Sequence, residues 1–169
     1  MKKLALFTFV LLCTSVDAKP SITQTQALQI FKAGQYTGKF NPKNLTSTSC
    51  EMLDNEKHCT VARIEFYKDI NGDGKKEALI IDEAQTIYAY GNTGQAFTLL
   101  SQDKSGFHEI ASEIAIPKLL KTKGKNGYPD IELGGPGFCF SVLRYNGKIY
   151  QHHRLDRKST RLNSSHSGE

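Results

Sequence analysis

Nine residues, Asp69-Ile70-Asn71-Gly72-Asp73-Gly74-Lys75-Lys76-Glu77, interrupt two apolar runs and constrain the chain more than any other stretch. Oxygen-bearing side chains stand at alternate positions 69, 71 and 73, glycine follows at 74, and a further carboxylate comes at 77. Calcium is a hard cation that gathers about six to eight oxygens, and alternate residues of a curled loop can aim several at one centre. Glycine permits the sharp turn. The expected metal ligands are Asp69, Asn71, Asp73, the backbone carbonyl of Lys75, and Glu77. Three carboxylates and one amide favour calcium over magnesium, which keeps more of its water.

In a helical twelve-residue calcium loop the last ligand would fall on Ile80, which has no oxygen to give. Residues 78–81, Ala-Leu-Ile-Ile, read as a strand where such a loop would start a helix. A strand-to-strand loop has no helix pair to swing open, so the expected Ca2+ is structural and orders a hairpin. A solvated Asp/Asn/Gly turn without metal is the alternative.

Around this loop the pattern is mainly β. Val61, Arg63, Glu65 and Tyr67 alternate with Ala62, Ile64, Phe66 and Lys68, giving a strand into the loop. Further strands are expected at 78–81, 86–90, 96–102, 107–110, 138–144 and 149–153. Turns are expected at 91–94 and 103–106, and Asn146-Gly147 suits a type I′ hairpin. Residues 19–34 are expected to form one helix, with Thr23 and Gln26 as a capping box and Ala27, Ile30 and Phe31 on its apolar face. Residues 35–49, rich in Gly, Pro, Asn, Ser and Thr, are expected to be irregular. The predicted fold class is α+β, mainly antiparallel sheet in hairpins or a meander, with the N-terminal helix packed on it. Residues 124–133 echo 71–80: an Asn-Gly turn, a carboxylate, then an alternating strand.

Both ends need separate treatment. Residues 1–18 have a basic start, an apolar stretch and a small-x-small end at Val16-Asp17-Ala18, the pattern of a signal peptide cleaved after Ala18. Localisation in the periplasm or outside the cell follows. Residues 156–169, from Asp156-Arg157-Lys158-Ser159 onward, resemble the conceptual translation of a sequencing adapter, which implies a non-native tail and a truncated C-terminus. A single domain at 19–155 remains. Without the two ends, the formal +5 of the full chain shrinks to a small surplus. No nucleic-acid partner is expected, since phosphate binding needs a concentrated basic stripe.

Cys50 and Cys59 lie close in sequence, and in an oxidising compartment a local disulfide is the default. Zinc held by Cys50, His58 and Cys59 would need adjacent residues to ligate one ion, and no second cysteine pair completes a tetrahedral site. Cys139 is left as a buried small hydrophobe or as the partner of a cysteine beyond Leu155.

The pattern Asp69-x-Asn71-x-Asp73-Gly74-x-x-Glu77 resembles the β-type calcium loops of FG-GAP and VCBS repeats, in which an EF-hand-like loop joins two strands. A broader resemblance is to a family of small bacterial exported proteins of uncharacterised activity. It rests on Phe31-Lys32-Ala33-Gly34, residues 69–80, Tyr90-Gly91-Asn92-Thr93-Gly94 and Gly127-Tyr128-Pro129-Asp130-Ile131-Glu132-Leu133-Gly134-Gly135-Pro136-Gly137-Phe138-Cys139-Phe140. The family resemblance implies a cysteine near residues 88–90; its absence here leaves the partner of Cys139 open.

No catalytic residue is assigned. Ser49, Ser101, Ser105 and Ser141 lack a nucleophile-elbow context, and Cys139 sits between two phenylalanines. Gly134-Gly135-Pro136-Gly137 lacks the helix start or Lys-Ser/Thr pair of a phosphate loop. Lys118, Lys121, Lys123 and Lys125 read as a solvated basic loop. His152 and His153 point to opposite faces of a strand. The expected function is that of a monomeric, exported, calcium-stapled binding module without a transmembrane segment, engaging an envelope polymer or another protein. The alternatives are a cell-envelope hydrolase and a small inhibitor; a deep cleft with converging titratable residues would favour the hydrolase.

Overall fold

The computed structural model describes residues 22–137 and 139–157, with Cys139, Asp156 and Arg157 described by backbone alone. The signal-like segment and residues 158–169 lie outside the described residues. Helix α1 (Gln24–Ala33) is followed by β1 (Lys39–Asn41), β2 (Thr46–Leu53), β3 (Glu56–Lys68), β4 (Glu77–Ala84), the single turn α2 (Ile87–Tyr90), β5 (Gln95–Asp103) and β6 (Gly106–Glu113). These strands form one six-stranded sheet in sequence order. β7 (Ile116–Lys123), β8 (Pro129–Gly134), β9 (Cys139–Tyr145) and β10 (Tyr150–Arg157) form a second sheet. Every pairing is antiparallel. The predicted mainly antiparallel fold with one N-terminal helix packed on it is therefore what forms.

The elements stack in three layers. Between the sheets lie Leu79, Ile81, Phe97, Leu99, Ile131, Leu143 and the tyrosines Tyr128, Tyr145 and Tyr150. On the other face of the large sheet, α1 buries Ala27, Ile30 and Phe31 against Ala62, Ala78, Ile80 and Leu100. β4 is covered on both faces, and all six residues from Glu77 to Asp82 are buried. Alternation along a strand then sends Leu79 and Ile81 into the sandwich and Ala78 and Ile80 under the helix.

The capping box forms: the Gln26 N–H donates to Thr23 Oγ1 at 3.2 Å and the Thr23 N–H to Gln26 Oε1 at 3.0 Å. Among the described residues the helix begins after Thr23, not at Lys19, because this cap sets its first turn. Gly34 ends it where a Cβ would stand 2.9 Å from Ile80 Cδ1, so the absent side chain lets the helix end lie on β4.

Three local expectations are corrected. Residues 35–49 are not irregular throughout, since β1 and half of β2 occupy them; hydroxyl-rich Thr46-Ser47-Thr48-Ser49 pairs with residues 60–63 of β3. Residues 86–90 are not a strand. They sit off the sheet as α2, in an excursion held by Gln85 N–H to Cys59 O and Ala84 N–H to Gly94 O. The type I′ expectation at Asn146-Gly147 also fails. Only Gly147 has positive φ there, because Asn146 Oδ1 accepts from both Lys148 and Ile149 N–H and shapes a four-residue connection. Left-handed residues at both central positions occur instead at Asp54 and Asn55, between β2 and β3. Just below that turn Cys50 and Cys59 face each other across the two strands and are joined by the expected disulfide.

Candidate metal centre

The strand into the loop ends at Lys68 and the strand out of it begins at Glu77, so the nine-residue segment joins two neighbours of one sheet. Gly72 and Gly74 both have positive φ, the left-handed backbone that lets the loop curl. Inside the curl the side chains accept hydrogen bonds from the loop's own amides. Asp69 Oδ1 accepts from Asn71 and Gly72 N–H at 3.1 and 2.6 Å, and its Oδ2 from Gly74 N–H at 2.8 Å. Asn71 Oδ1 accepts from Asp73 N–H, and Asp73 Oδ1 from Lys75 N–H. The amides of Gly72 and Gly74 hold the Asp69 carboxyl below its usual range.

Glu77 does not face the loop interior alone; it is drawn into the sandwich. It is fully buried. Its Oε2 accepts from Ile70 N–H at 3.1 Å, and its Oε1 from Tyr128 Oη–H at 3.0 Å and Ser101 Oγ–H at 3.4 Å. Tyr128 and Ser101 are themselves 2.8 Å apart. Burial pushes the Glu77 carboxyl up against the lowering effect of these donors, and the charges of Asp73 and Asp69 push the same way. Among the described residues no ion pair joins Asp69, Asp73 or Glu77 to a basic side chain. The flanking lysines lie elsewhere: Lys68 over the Phe66 ring and Lys76 over the Tyr67 ring, each at 5.0 Å.

The donors are of the hard oxygen kind that calcium takes, on a backbone curled as such a loop requires. In the arrangement described, no three Asp, Glu, His or Cys side chains converge on one point among the described residues. Asp69, Asn71 and Asp73 share one curl, Lys75 closes it through its backbone, and Glu77 stands at the strand start with its carboxylate turned to Tyr128.

The sequence echo at 124–133 has a spatial counterpart. Gly127, with positive φ, approaches the loop so closely that a Cβ would fall 2.7 Å from Asn71 O. Three residues on, Asp130 is also fully buried at the head of a strand. Its Oδ1 accepts from Arg144 Nε–H at 2.9 Å, and its Oδ2 from Arg144 Nη2–H at 2.7 Å and Thr122 Oγ–H at 2.6 Å, with Arg154 Nη1 at 3.6 Å. The Arg144 hydrogen bonds hold its carboxyl below the usual range.

Tyr128 and Ser101 were not among the expected site residues. Ser101 carries a signal, a polar side chain at an inward position of an apolar strand; Tyr128 comes from the connection between β7 and β8, and nothing local announces its reach. Lys118 pairs with Glu132 at 3.0 Å on an exposed surface, and His152 lies 3.9 Å from Glu113. Cys139 lies in β9 by its backbone. No helix among the described residues is long and apolar enough to cross a membrane. No family model, curated protein or solved structure matches this chain.

Proposed function

We propose that this chain is an exported binding module, a three-layer β-rich domain in which a structural calcium ion clips the β3–β4 hairpin and the Cys50–Cys59 disulfide clips the tip of β2–β3. One observation carries the ion: the carboxylates of Asp69, Asp73 and Glu77 belong to one curled nine-residue segment, and none is paired with a basic side chain among the described residues. Asp69, Asn71, Asp73, the Lys75 carbonyl and Glu77 would hold the ion, and its charge would offset theirs. The disulfide accords with an oxidising compartment, as the signal-like N-terminus does. The partner proposed is an envelope polymer or another protein.

Calorimetric unfolding in calcium and then in chelator tests the ion. A ligand bound only by the native state at a hundred times its Kd stabilises by about 2.7 kcal/mol, so the midpoint should rise by several degrees. An unchanged midpoint defeats the calcium reading and leaves a hydrogen-bonded turn with Glu77 satisfied by Ile70, Ser101 and Tyr128.

A hydrolase is the second reading, favoured by a cleft on the helix-bearing face that encloses Asp82. Incubation with insoluble cell-wall polymer separates the two: a module co-sediments without releasing soluble fragments, and an enzyme releases them.

A further inference from the structure

The helix-bearing face of the large sheet is only partly covered by α1. Beyond Gly34 the inward positions of β2 and β3 are small and hydroxylic, Ser47, Ser49 and Thr60, in place of the Ile and Leu residues under the helix. Small side chains there leave a trough, walled by the 34–38 segment on one side and by α2 on the other. The result is a cavity of about 400 Å³, in the size range of small-molecule sites. Tyr36, Tyr88 and Tyr90 supply aromatic walls, and His58 packs on Tyr88 with ring centroids 4.4 Å apart.

Asp82 lines this cavity and is itself only 6% exposed. Its Oδ2 accepts from Tyr90 Oη–H at 2.6 Å. The Thr60 hydroxyl acts on the same carboxylate from β3, yet Oδ1 is buried without a hydrogen bond of good geometry. Tyr36, Tyr90 and Asp82 also line a second, more open cavity of about 500 Å³ together with Glu109 and Glu113. Neither cavity has a lysine or arginine in its lining, although the chain as a whole is basic. An acidic, aromatic-walled recess without a basic residue in its lining is complementary to a cation carrying N–H donors. Tyrosine faces attract such a cation through the ring quadrupole.

We propose that the cleft between the α1 exit and α2 binds a small organic ammonium, a primary amine on an apolar or aromatic body, with its N–H groups on the Asp82 carboxylate and its body against Tyr36, Tyr88 and Tyr90. The site is independent of the calcium loop. Asp82 and Glu77 lie on opposite faces of β4, so calcium and amine occupancy are separable.

Isothermal titration of the purified protein with benzylamine, against benzyl alcohol and glucose as neutral probes, tests this in chelator and in calcium alike. Benzylamine should bind and the neutral probes should not. Asp82→Asn, which keeps the shape and removes the charge, should weaken benzylamine by about tenfold or more, the factor that corresponds to losing one charge-assisted hydrogen bond. Tyr88→Ala, at an exposed rim position, should weaken it severalfold without touching the core. Three results overturn the proposal: no binding of benzylamine at millimolar concentration, equal binding of benzyl alcohol or glucose, or undiminished binding by Asp82→Asn. If that variant does not fold, amide shift changes on benzylamine titration of the unsubstituted protein decide, and changes absent from residues 34–38, 82 and 86–90 overturn it.

Discussion

Two fully buried carboxylates head two similar strands, and they are treated in opposite ways. Asp130, at the start of the smaller sheet's β8, receives a two-pronged guanidinium from Arg144 and a hydroxyl from Thr122, with Arg154 nearby. Glu77, at the start of β4, receives only neutral donors, from Ile70, Ser101 and Tyr128. The consequence is a carboxyl held low at Asp130 and pushed high at Glu77. Burial alone therefore does not set the charge of a carboxylate; the partner does. One site has a cation built from its own chain, and the other is the place where an external one is proposed.

Removing the Asp130 charge should have the largest effect. Asp130→Asn leaves Arg144 facing a neutral amide, and because that guanidinium is about one-third exposed and can rehydrate, the expected loss is about 2–3 kcal/mol, below the range for fully buried pairs. Urea unfolding of the variant measures it; a midpoint like that of the unsubstituted protein would mean that the ion pair adds nothing.

Glu77→Gln is the counterpart at the other site. In chelator it should cost about 1–2 kcal/mol, since the amide keeps an oxygen for Tyr128 but turns its NH2 towards the Ile70 N–H, and no paired charge is lost. In calcium it should abolish the rise in midpoint. If the variant retains that rise, Glu77 is no ligand. Tyr128→Phe probes the same carboxylate from the β7–β8 connection and should cost about 1 kcal/mol, with calcium restoring part of it.

The smallest effect is the dependence on pH. A raised folded-state pKa means that Glu77 holds its proton longer in the folded chain than in the unfolded one. In chelator its contribution is present at low pH and is lost as pH rises from the ordinary glutamate value, about 4.3, through the folded value. Asp130 runs the other way: its contribution is present above about 3.9 and is lost as pH falls through its depressed folded pKa. Asp82, raised by burial, adds a slope of the same sign as Glu77. The difference between unsubstituted protein and Glu77→Gln isolates the Glu77 part. Equal slopes for the two would show that Glu77 is not shifted, and calcium should flatten the slope of the unsubstituted protein.

Much of the fold was legible from patterning. The capping box at Thr23 and Gln26, the alternation through residues 60–68 and the apolar run after Glu77 are local signals with local causes. The failures have causes that are not local. β2 is polar because it lies near the sheet edge, where a hydroxyl-rich strand tolerates solvent, so its composition imitates a loop. Residues 86–90 have strand-like side chains but no neighbour to pair with, and curl instead. Asn146-Gly147 meets a side-chain acceptor that reshapes the turn, whereas Asp54-Asn55 takes the left-handed geometry that a two-residue hairpin demands.

By itself, the sequence determined that a strand and not a helix follows the loop at 69–77, and which two cysteines would pair. Those are matters of spacing, and spacing is written in the chain. Only the tertiary structure decided that Tyr128 and Ser101 cap Glu77, that Arg144 pairs with Asp130, and that Asp82 lines a cavity with Tyr36, Tyr88 and Tyr90. Each joins residues from different elements of the fold. Their charge states follow from burial and partners that only packing brings together.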